Sequence, residues 1–248
     1  MSTRAMITYA VVIPAYNEVA TIRVVAERAL EQCKQVIVVD DGSVDETVSE
    51  LQSLPVTLLQ NKQNMGKAAS LWRGMQEALV KGVDGVITLD GDCQHRPEDI
   101  PKLIQLASEN PDTIIIGSRL HDRDAIPVSR YRANCFANFW IAWASGFPIE
   151  DSQSGFRFYP ASLLNTINLD TSRDKSFVFE SEILIEAGAR GIRTKAVQIP
   201  AIYSKAMRPS HFQSVKDIMR ITKMVAGRLF RQGMNLPGFY RVIIAKEQ

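Results

Sequence analysis

The segment Val86-Ile87-Thr88-Leu89-Asp90-Gly91-Asp92 joins a short apolar run directly to two carboxylates that are one residue apart. An apolar run of this length is typical of a buried strand. Carboxylates beside a core are costly to desolvate unless an opposite charge offsets them, and a divalent cation such as Mg²⁺ prefers carboxylate and phosphate oxygens. The segment indicates a metal site for a phosphorylated ligand. The plain alternative is a solvated turn, because Asp and Gly are common turn residues.

Apolar runs and helical spacings alternate on both sides of this segment. The expected strands are residues 9–14, 35–39, 56–60, 86–89 and 113–116, and the expected helices are 18–32, 45–54, 68–81 and 97–108. Strands that alternate with helices at this pitch are typical of βαβ units and a parallel sheet. The sequence therefore predicts an α/β fold with a Rossmann-like, mostly parallel central sheet that is flanked by helices.

Polar clusters follow four of the expected strands. They are Tyr16-Asn17-Glu18, Asp40-Asp41, Asp90-Gly91-Asp92 and Arg119. In open α/β sheets, ligands bind beyond the carboxyl ends of the strands. Because all four clusters lie at such ends, a ligand site is favoured over four unrelated solvated turns.

The composition is that of an ordinary globular protein, with 46% hydrophobic and 23% charged residues in 248. The cysteines, Cys33, Cys93 and Cys135, are odd in number and form no CxxC pair, which argues against a zinc knuckle or a disulfide framework and favours a reducing, cytoplasmic setting. We expect no signal peptide and no membrane-spanning helix, since no stretch of about 18 apolar residues occurs.

Charge is distributed unevenly along the chain. From Ser204 onward there are nine Lys and Arg against two acidic residues, which leaves twenty basic and twenty-five acidic residues before that point, from totals of 29 and 27. Residues 212–231 form a helix candidate with an apolar side and a basic side. Such a helix either lies on an anionic membrane surface or packs on the body with its basic side solvated. Nucleic acid is not an expected partner, since no nucleic-acid-binding motif occurs.

The second half of the chain is less regular and contains no clear linker, so we expect a single domain. Aromatic residues at helical spacing form one stripe between residues 132 and 145, namely Phe136, Phe139, Trp140 and Trp143. A core-facing helix is the favoured interpretation of this stripe, and the alternative is an apolar groove that accepts a ligand.

Five segments, in this order, resemble family 2 glycosyltransferases of the GT-A fold, in the branch of dolichyl-phosphate mannose synthase and polyprenyl-phosphate sugar transferases. They are Val12-Ile13-Pro14-Ala15-Tyr16-Asn17-Glu18, Val38-Val39-Asp40-Asp41-Gly42-Ser43-Val44-Asp45, Asn64-Met65-Gly66-Lys67, Asp90-Gly91-Asp92-Cys93-Gln94 with Pro97-Glu98, and Asp151-Ser152-Gln153-Ser154-Gly155-Phe156-Arg157. The resemblance covers about residues 8 to 205. It implies a catalytic domain at 1–205, with 206–248 as a basic amphipathic helical extension of the same domain.

The resemblance implies an inverting transfer of a sugar from a GDP- or UDP-linked donor, with Mg²⁺ or Mn²⁺ bound. The residues that would contact the donor are Pro14, Tyr16, Glu18, Asp41, Lys67 and Asp90, with Asp41 accepting a hydrogen bond from the base. Asp92 and Gln94 would hold the metal. Asp92 would also be catalytic, since the cation it holds stabilises the departing diphosphate.

The nature of the acceptor decides which further residues would act. A hydroxyl acceptor needs a general base, for which Asp151 is the candidate. A phosphate acceptor is already anionic and needs positioning, which Arg119, Arg130 and Arg132 could provide through bidentate contacts. Catalytic roles are therefore expected for Asp151, Arg119 and Arg132.

Two segments depart from the family pattern. The metal loop has Gly91 where Ala is commoner, and the later loop Ile202–His211 differs from the usual Gly-x-Ser-Lys type. Lys205, Arg208 and His211 could close this loop over the diphosphate, as mobile loops do in other enzymes. The second departure leaves the acceptor open between a lipid phosphate and a small molecule.

Two other functions compete with glycosyl transfer. A nucleotidyltransferase would usually have a Gly-rich, basic first loop, where this chain has Tyr16-Asn17-Glu18. A non-catalytic nucleotide-sugar-binding protein of the membrane surface would not require Asp90, Asp92 and Gln94 to be intact. The expected location is cytoplasmic, with peripheral contact to the inner face of the membrane or to a membrane-protein partner.

Overall fold

The computed structural model describes residues 7–172, 178–202, 214–231 and 233–244. The strands in these ranges are β1 (Tyr9–Ala15), β2 (Val36–Asp40), β3 (Thr57–Gln60), β4 (Gly85–Thr88), β5 (Ile114–Ser118), β6 (Arg157–Pro160) and β7 (Thr194–Gln198). The helices are α1 (Ile22–Gln32), α2 (Thr47–Leu51), α3 (Lys67–Val80), α4 (Ile100–Glu109), α5 (Val128–Ser145), α6 (Ala161–Leu164), α7 (Phe179–Ala189), α8 (Ser214–Arg231) and α9 (Leu236–Ile244).

The strands form one sheet in the order β3-β2-β1-β4-β6-β5-β7. Strands β1 to β4 pair in parallel, as does β5 with β7, whereas β6 runs antiparallel to both β4 and β5. The predicted mostly parallel sheet is therefore confirmed. The antiparallel strand inserts the segment that precedes it, residues 151–156, between the carboxyl ends of β4 and β5.

The central strands are buried on both faces of the sheet, whereas the edge strands β3 and β7 are partly exposed. This burial explains why β1, β2, β4 and the start of β5 are continuous apolar runs in the sequence. Alternate residues of β1 point to opposite sides, so Val12 packs with α3 and α5 whereas Ile13 packs with α1 and α4. Helices cover both faces, so the strand ends and their loops form the rim of the sheet. The carboxyl-end rim is therefore where polar side chains can gather.

The C-terminal helices belong to the same core as the central sheet. Helix α8 confirms the helix predicted at 212–231, although Phe212 lies outside the described residues. Its residues Ile221, Val225 and Leu229 are buried in the cluster that contains α3 and α5. From Ile221 to Leu229 the apolar side of α8 thus packs on the body, which agrees with the second of the two interpretations of this helix.

Helix α9 follows α8 after a short turn that is tied to the end of α5. The indole nitrogen of Trp143 donates to the carbonyl of Met234 at 2.9 Å, and the side-chain amide of Asn235 donates to the carbonyl of Trp143 at 3.1 Å. Trp143 also contacts Phe239 with ring centroids 4.8 Å apart. Of the aromatic stripe, Trp143 is buried as predicted, whereas Phe136 is half exposed. In the described ranges, no helix combines the length and the apolar character that crossing a bilayer requires.

Two helical glycines offer a matched test of close packing between helices. A Cβ atom at Gly188 of α7 would lie 2.1 Å from the carbonyl oxygen of Ser145, whereas a Cβ at Gly227 of α8 would meet no atom within 4 Å. We expect Gly188→Ala to lower the free energy of unfolding by about 1–3 kcal/mol through overpacking, and Gly227→Ala to raise it by about 0.5–1 kcal/mol through helix propensity. Urea unfolding of the two variants measures both changes, and equal shifts of the same sign would contradict the packing described.

Candidate functional site

Acidic side chains from the loop after β4 and from α7 meet one lysine at the carboxyl-end rim of the sheet. The ammonium nitrogen of Lys67, the first residue of α3, lies 2.7 Å from Oδ1 of Asp90 and 3.1 Å from Oε2 of Glu180. Desolvation alone would lower the pKa of Lys67, but the two carboxylates outweigh it and raise that pKa. Desolvation would likewise raise the pKa of Asp90, but Lys67 holds it down at about 2. Asp90 is thus ionised and its charge is balanced.

Asp41 places Lys67 where it can meet these carboxylates. The Asp41 carboxylate is buried and accepts hydrogen bonds from the backbone N–H groups of Met65 and Gly66, both at 2.8 Å, and from the Asn61 side chain at 2.8 Å. These bonds fix the loop that begins α3. Gly66 adopts a φ of 95°, a conformation that favours glycine. A carboxylate has about four acceptor positions, so Asp41 retains capacity for a further donor.

The segment before β6 forms the floor of the site. A Cβ at Gly155 would lie 3.0 Å from Oδ2 of Asp90 and 3.2 Å from Oε1 of Glu180, so only glycine leaves this space open. The buried Arg157 donates to the carbonyls of Ser154 and Ser152 at 2.7 Å and to that of Glu180 at 2.8 Å. One guanidinium therefore joins the floor to the start of α7.

Among the described residues, Asp92 forms no ion pair, in contrast to Asp90. The backbone N–H of Gln94 donates to Asp92 Oδ1 at 3.0 Å, and both side chains are partly exposed. Burial and the negative charge of Asp90 together raise the pKa of Asp92. Within the described ranges, no three Asp, Glu, His or Cys side chains converge as a closed metal site. This donor set fits a cation held by one or two protein ligands and completed by phosphate oxygens, which is a usual arrangement for Mg²⁺.

The loop after β1 lies beside the loop after β2. Pro14, Tyr16 and Glu18 are partly buried there. The backbone N–H of Asn17 donates to Ser43 Oγ at 2.9 Å, and the Asn17 side chain accepts from the N–H of Val44 at 2.9 Å. The two loops are thus tied together, which leaves Tyr16 and Glu18 at the same rim as Asp41.

Arg119 and Asp151 form a buried ion pair. Nε of Arg119 lies 3.1 Å from Oδ2 of Asp151, and the backbone N–H of Arg119 donates to the same oxygen at 3.1 Å. The Asp151 side chain has no exposed surface. A general base must reach its substrate, so this placement gives the general-base role no support and is that of a group that orients Arg119. Arg130 and Arg132 are exposed on the first turns of α5, and Lys205, Arg208 and His211 lie outside the described residues.

Two side chains of the site were not identified from the sequence. Glu180 is far from Asp90 in the sequence, and no periodic pattern indicates that both would contact Lys67. His95 is buried, its ring lies 5.5 Å from that of Phe156, and within the described ranges neither ring nitrogen has a hydrogen-bond partner. Burial lowers the pKa of His95 to about 4, against the opposing charge of Asp90. His95 directly follows Asp90-Gly91-Asp92-Cys93-Gln94, a segment that resembles the family. That position could have drawn attention to it, but sequence alone does not show that a histidine is buried.

Comparison with known proteins agrees with this architecture. The model of the family "Glycosyl transferase family 2" matches residues 10–163. The chain is 29% identical over 215 residues to UDP-N-acetylglucosamine–dolichyl-phosphate N-acetylglucosaminyltransferase of Methanococcus voltae, covering 78% of this chain and 85% of that protein. It is 27% identical over 206 residues to polyprenol monophosphomannose synthase of Mycolicibacterium smegmatis, covering 79% and 77%.

Among solved structures, the chain resembles glucosyl-3-phosphoglycerate synthase of Mycobacterium tuberculosis in complex with Mn²⁺, uridine diphosphate and glucosyl-3-phosphoglycerate. The TM-score is 0.66 at 19% identity, and the match covers 92% of this chain and 80% of that one. The fold is therefore that of the GT-A glycosyltransferases. With the family model matched over more than half its length, the chain belongs to glycosyl transferase family 2, as the five segments predicted, and is an enzyme of that family.

The buried histidine predicts a specific dependence of stability on pH. The unfolded chain takes up a proton on His95 below pH of about 6.5, whereas the folded chain does so only near pH 4. The free energy of unfolding should therefore fall by about 1–2 kcal/mol from pH 7 to pH 5 on account of this residue. We expect His95→Asn to remove that part of the slope in metal-free urea unfolding, and His121→Asn, at an exposed position, to keep it. Parallel slopes for wild type and His95→Asn would show the prediction to be wrong.

Proposed function

We propose that this protein transfers a sugar, with inversion, from a nucleotide-diphospho-sugar to a polyprenyl phosphate, and that it requires a divalent cation. The observation that carries the proposal is a difference in charge environment between two neighbouring carboxylates, Asp90 and Asp92. Asp90 is neutralised by Lys67, whereas Asp92 has a raised pKa and forms no ion pair with any described residue. The names of the Methanococcus voltae and Mycolicibacterium smegmatis relatives support a dolichyl- or polyprenol-linked acceptor.

The donor would lie along the rim formed by the loops after β1, β2 and β4. Pro14, Tyr16 and Glu18 would contact the base and ribose, and Asp41 would accept from the base with its remaining lone pair. Asp90 would face the ribose and sugar side, with Lys67 holding it in place. Gly155 leaves open the space next to Asp90 that a donor hydroxyl would enter.

Asp92 and Gln94 would hold Mg²⁺ or Mn²⁺ together with the donor diphosphate. The bound cation would neutralise charge that builds up on the departing nucleoside diphosphate. The residues of this chain otherwise orient the donor. The Gln94 backbone N–H holds the Asp92 carboxylate, and the start of α3 carries Lys67 to the same rim.

The acceptor phosphate would be positioned by Arg119. Its guanidinium is held by Asp151 through Nε and Nη2, at 3.1 and 3.4 Å. A phosphate needs no deprotonation at neutral pH, so the buried Asp151 is needed only to orient the arginine. Arg130 and Arg132 on α5 would add positive charge on the approach side.

A polyprenyl-phosphate acceptor requires contact with a membrane. We place the protein in the cytoplasm, peripherally on the inner face of the membrane or on a membrane-protein partner. Residues 206–248 would serve as an extension of the catalytic domain 1–205. The burial of Ile221 and Val225 in the core that contains α5 supports this assignment.

The metal requirement is tested by calorimetric titration of UDP and GDP with and without Mn²⁺. We expect Mn²⁺ to be needed for tight binding, and Asp92→Asn to weaken binding at least about tenfold because the cation loses a charged ligand. Asp124→Asn changes an exposed acid and is the matched control. The proposal fails if wild-type protein binds neither nucleoside diphosphate, or binds one equally well without metal.

The role of Arg119 is tested with a short-chain prenyl phosphate in detergent. Arg119→Lys keeps the positive charge but loses bidentate geometry, so we expect the KM for the prenyl phosphate to rise about tenfold. Nucleoside diphosphate affinity should stay unchanged. If Asp151→Asn lowers kcat without changing this KM, Asp151 acts on the chemical step and the positioning role is wrong.

A further inference from the structure

Helix α9 is apolar on all sides. Its sequence, Leu-Pro-Gly-Phe-Tyr-Arg-Val-Ile-Ile, contains a single charged residue, Arg241. A helix of a globular protein usually has one apolar side towards the core and one polar side towards water. A helix that is apolar all round is normally covered all round.

The body of the protein covers only one side of α9. Gly238 and Val242, one turn apart, are buried against the end of α5. Leu236, Tyr240 and Ile244 form a second stripe at the same spacing and are 58%, 64% and 55% exposed. Two residues along a helix correspond to a rotation of about 200°, so the two stripes lie on opposite sides. The outer stripe is an apolar surface that faces away from the core.

Two more apolar residues that lie close to α9 in the chain are exposed. Phe230 near the end of α8 is 83% exposed, and Met234 in the turn before α9 is 45% exposed. We call Phe230, Met234, Leu236, Tyr240 and Ile244 the outer tail surface. Exposed apolar residues on a monomer are usually scattered singly, and a group of them indicates a site of interaction.

The surroundings of the outer tail surface are basic. Between Ile221 and Ile244 the sequence has four basic residues and no Asp or Glu. Arg228 pairs with Glu186 of the body, whereas Lys223, Arg231 and Arg241 are exposed. Arg241 also contacts the ring of Phe147, with its guanidinium carbon 5.3 Å from the ring centroid. Aromatic and aliphatic residues flanked by cations are typical of segments that lie in the interface of an anionic bilayer.

We propose that the outer tail surface inserts into the headgroup region of a bilayer that contains anionic lipids, with Lys223, Arg231 and Arg241 contacting lipid phosphates. This inference rests on the proposed function for its purpose, but its evidence comes from α8 and α9. It assigns membrane contact to the outer side of α9 and the end of α8, and not to Ile221, Val225 and Leu229 of α8, which are buried in the core. A second copy of the chain is a poorer occupant, because a twofold contact would bring the same cations together.

Vesicle co-sedimentation of the full chain tests the inference. We expect binding to vesicles of mixed phosphatidylglycerol and phosphatidylcholine, little binding to phosphatidylcholine alone, and weaker binding as salt is raised. The double variant Leu236→Ser with Ile244→Ser should bind the mixed vesicles at least about tenfold more weakly, since two apolar side chains no longer enter the interface. The matched control is Val44→Ser with Val80→Ser, which changes two valines that are 87% and 83% exposed elsewhere.

Several outcomes would overturn the inference. It is wrong if wild-type protein does not bind the mixed vesicles, or if the tail variant binds them as well as the control does. It is also wrong if sedimentation velocity shows a dimer that the tail variant dissociates, because the surface then joins two copies. Calorimetric binding of nucleoside diphosphate should be the same in the tail variant and wild type. That measurement reports whether the variant is folded and keeps a failure here separate from a failure of the proposed function.

Discussion

The balance of charge at the carboxyl end of β4 is the constraint on which the rest of the site depends. Two carboxylates one residue apart repel each other, and a sheet buried on both faces gives them little water. Lys67 balances the charge of Asp90 by forming ion pairs with Asp90 and Glu180. Asp41 fixes the loop that carries Lys67, and Arg157 fixes the floor and the start of α7. Under the proposed function, the charge of Asp92 would be balanced by a cation that arrives with the donor.

The alternation of strands and helices, and the acids at strand ends, could be predicted because both follow from local sequence. Residues Tyr9 to Ile116 show this alternation, and the sheet confirms it. The direction of β6 could not be predicted, because pairing is decided by contacts between distant segments. Glu180 was missed for the same reason, since it reaches Lys67 from a helix more than a hundred residues away. The burial of Asp151 and its pairing with Arg119 are likewise tertiary properties that the sequence does not show.

The C-terminal helices show how periodicity can predict a helix without its environment. Residues 214–231 have an apolar side, which suits a membrane and a protein core equally well, and its residues Ile221, Val225 and Leu229 lie in the core. Helix α9 has two apolar sides, and close glycine contacts at Gly146 and Gly238 decide which one is covered.

The most direct test of the account is where a cation binds when a nucleoside diphosphate is present. Crystals of the full chain grown with Mn²⁺ and UDP or GDP would show the metal by its anomalous scattering. We predict one strong peak within coordination distance of the Asp92 carboxylate and the diphosphate, with the ammonium of Lys67 still between Asp90 and Glu180. A nucleotide bound with no metal peak at Asp92, or a peak on Asp90 after Lys67 has moved away, would contradict the central claim.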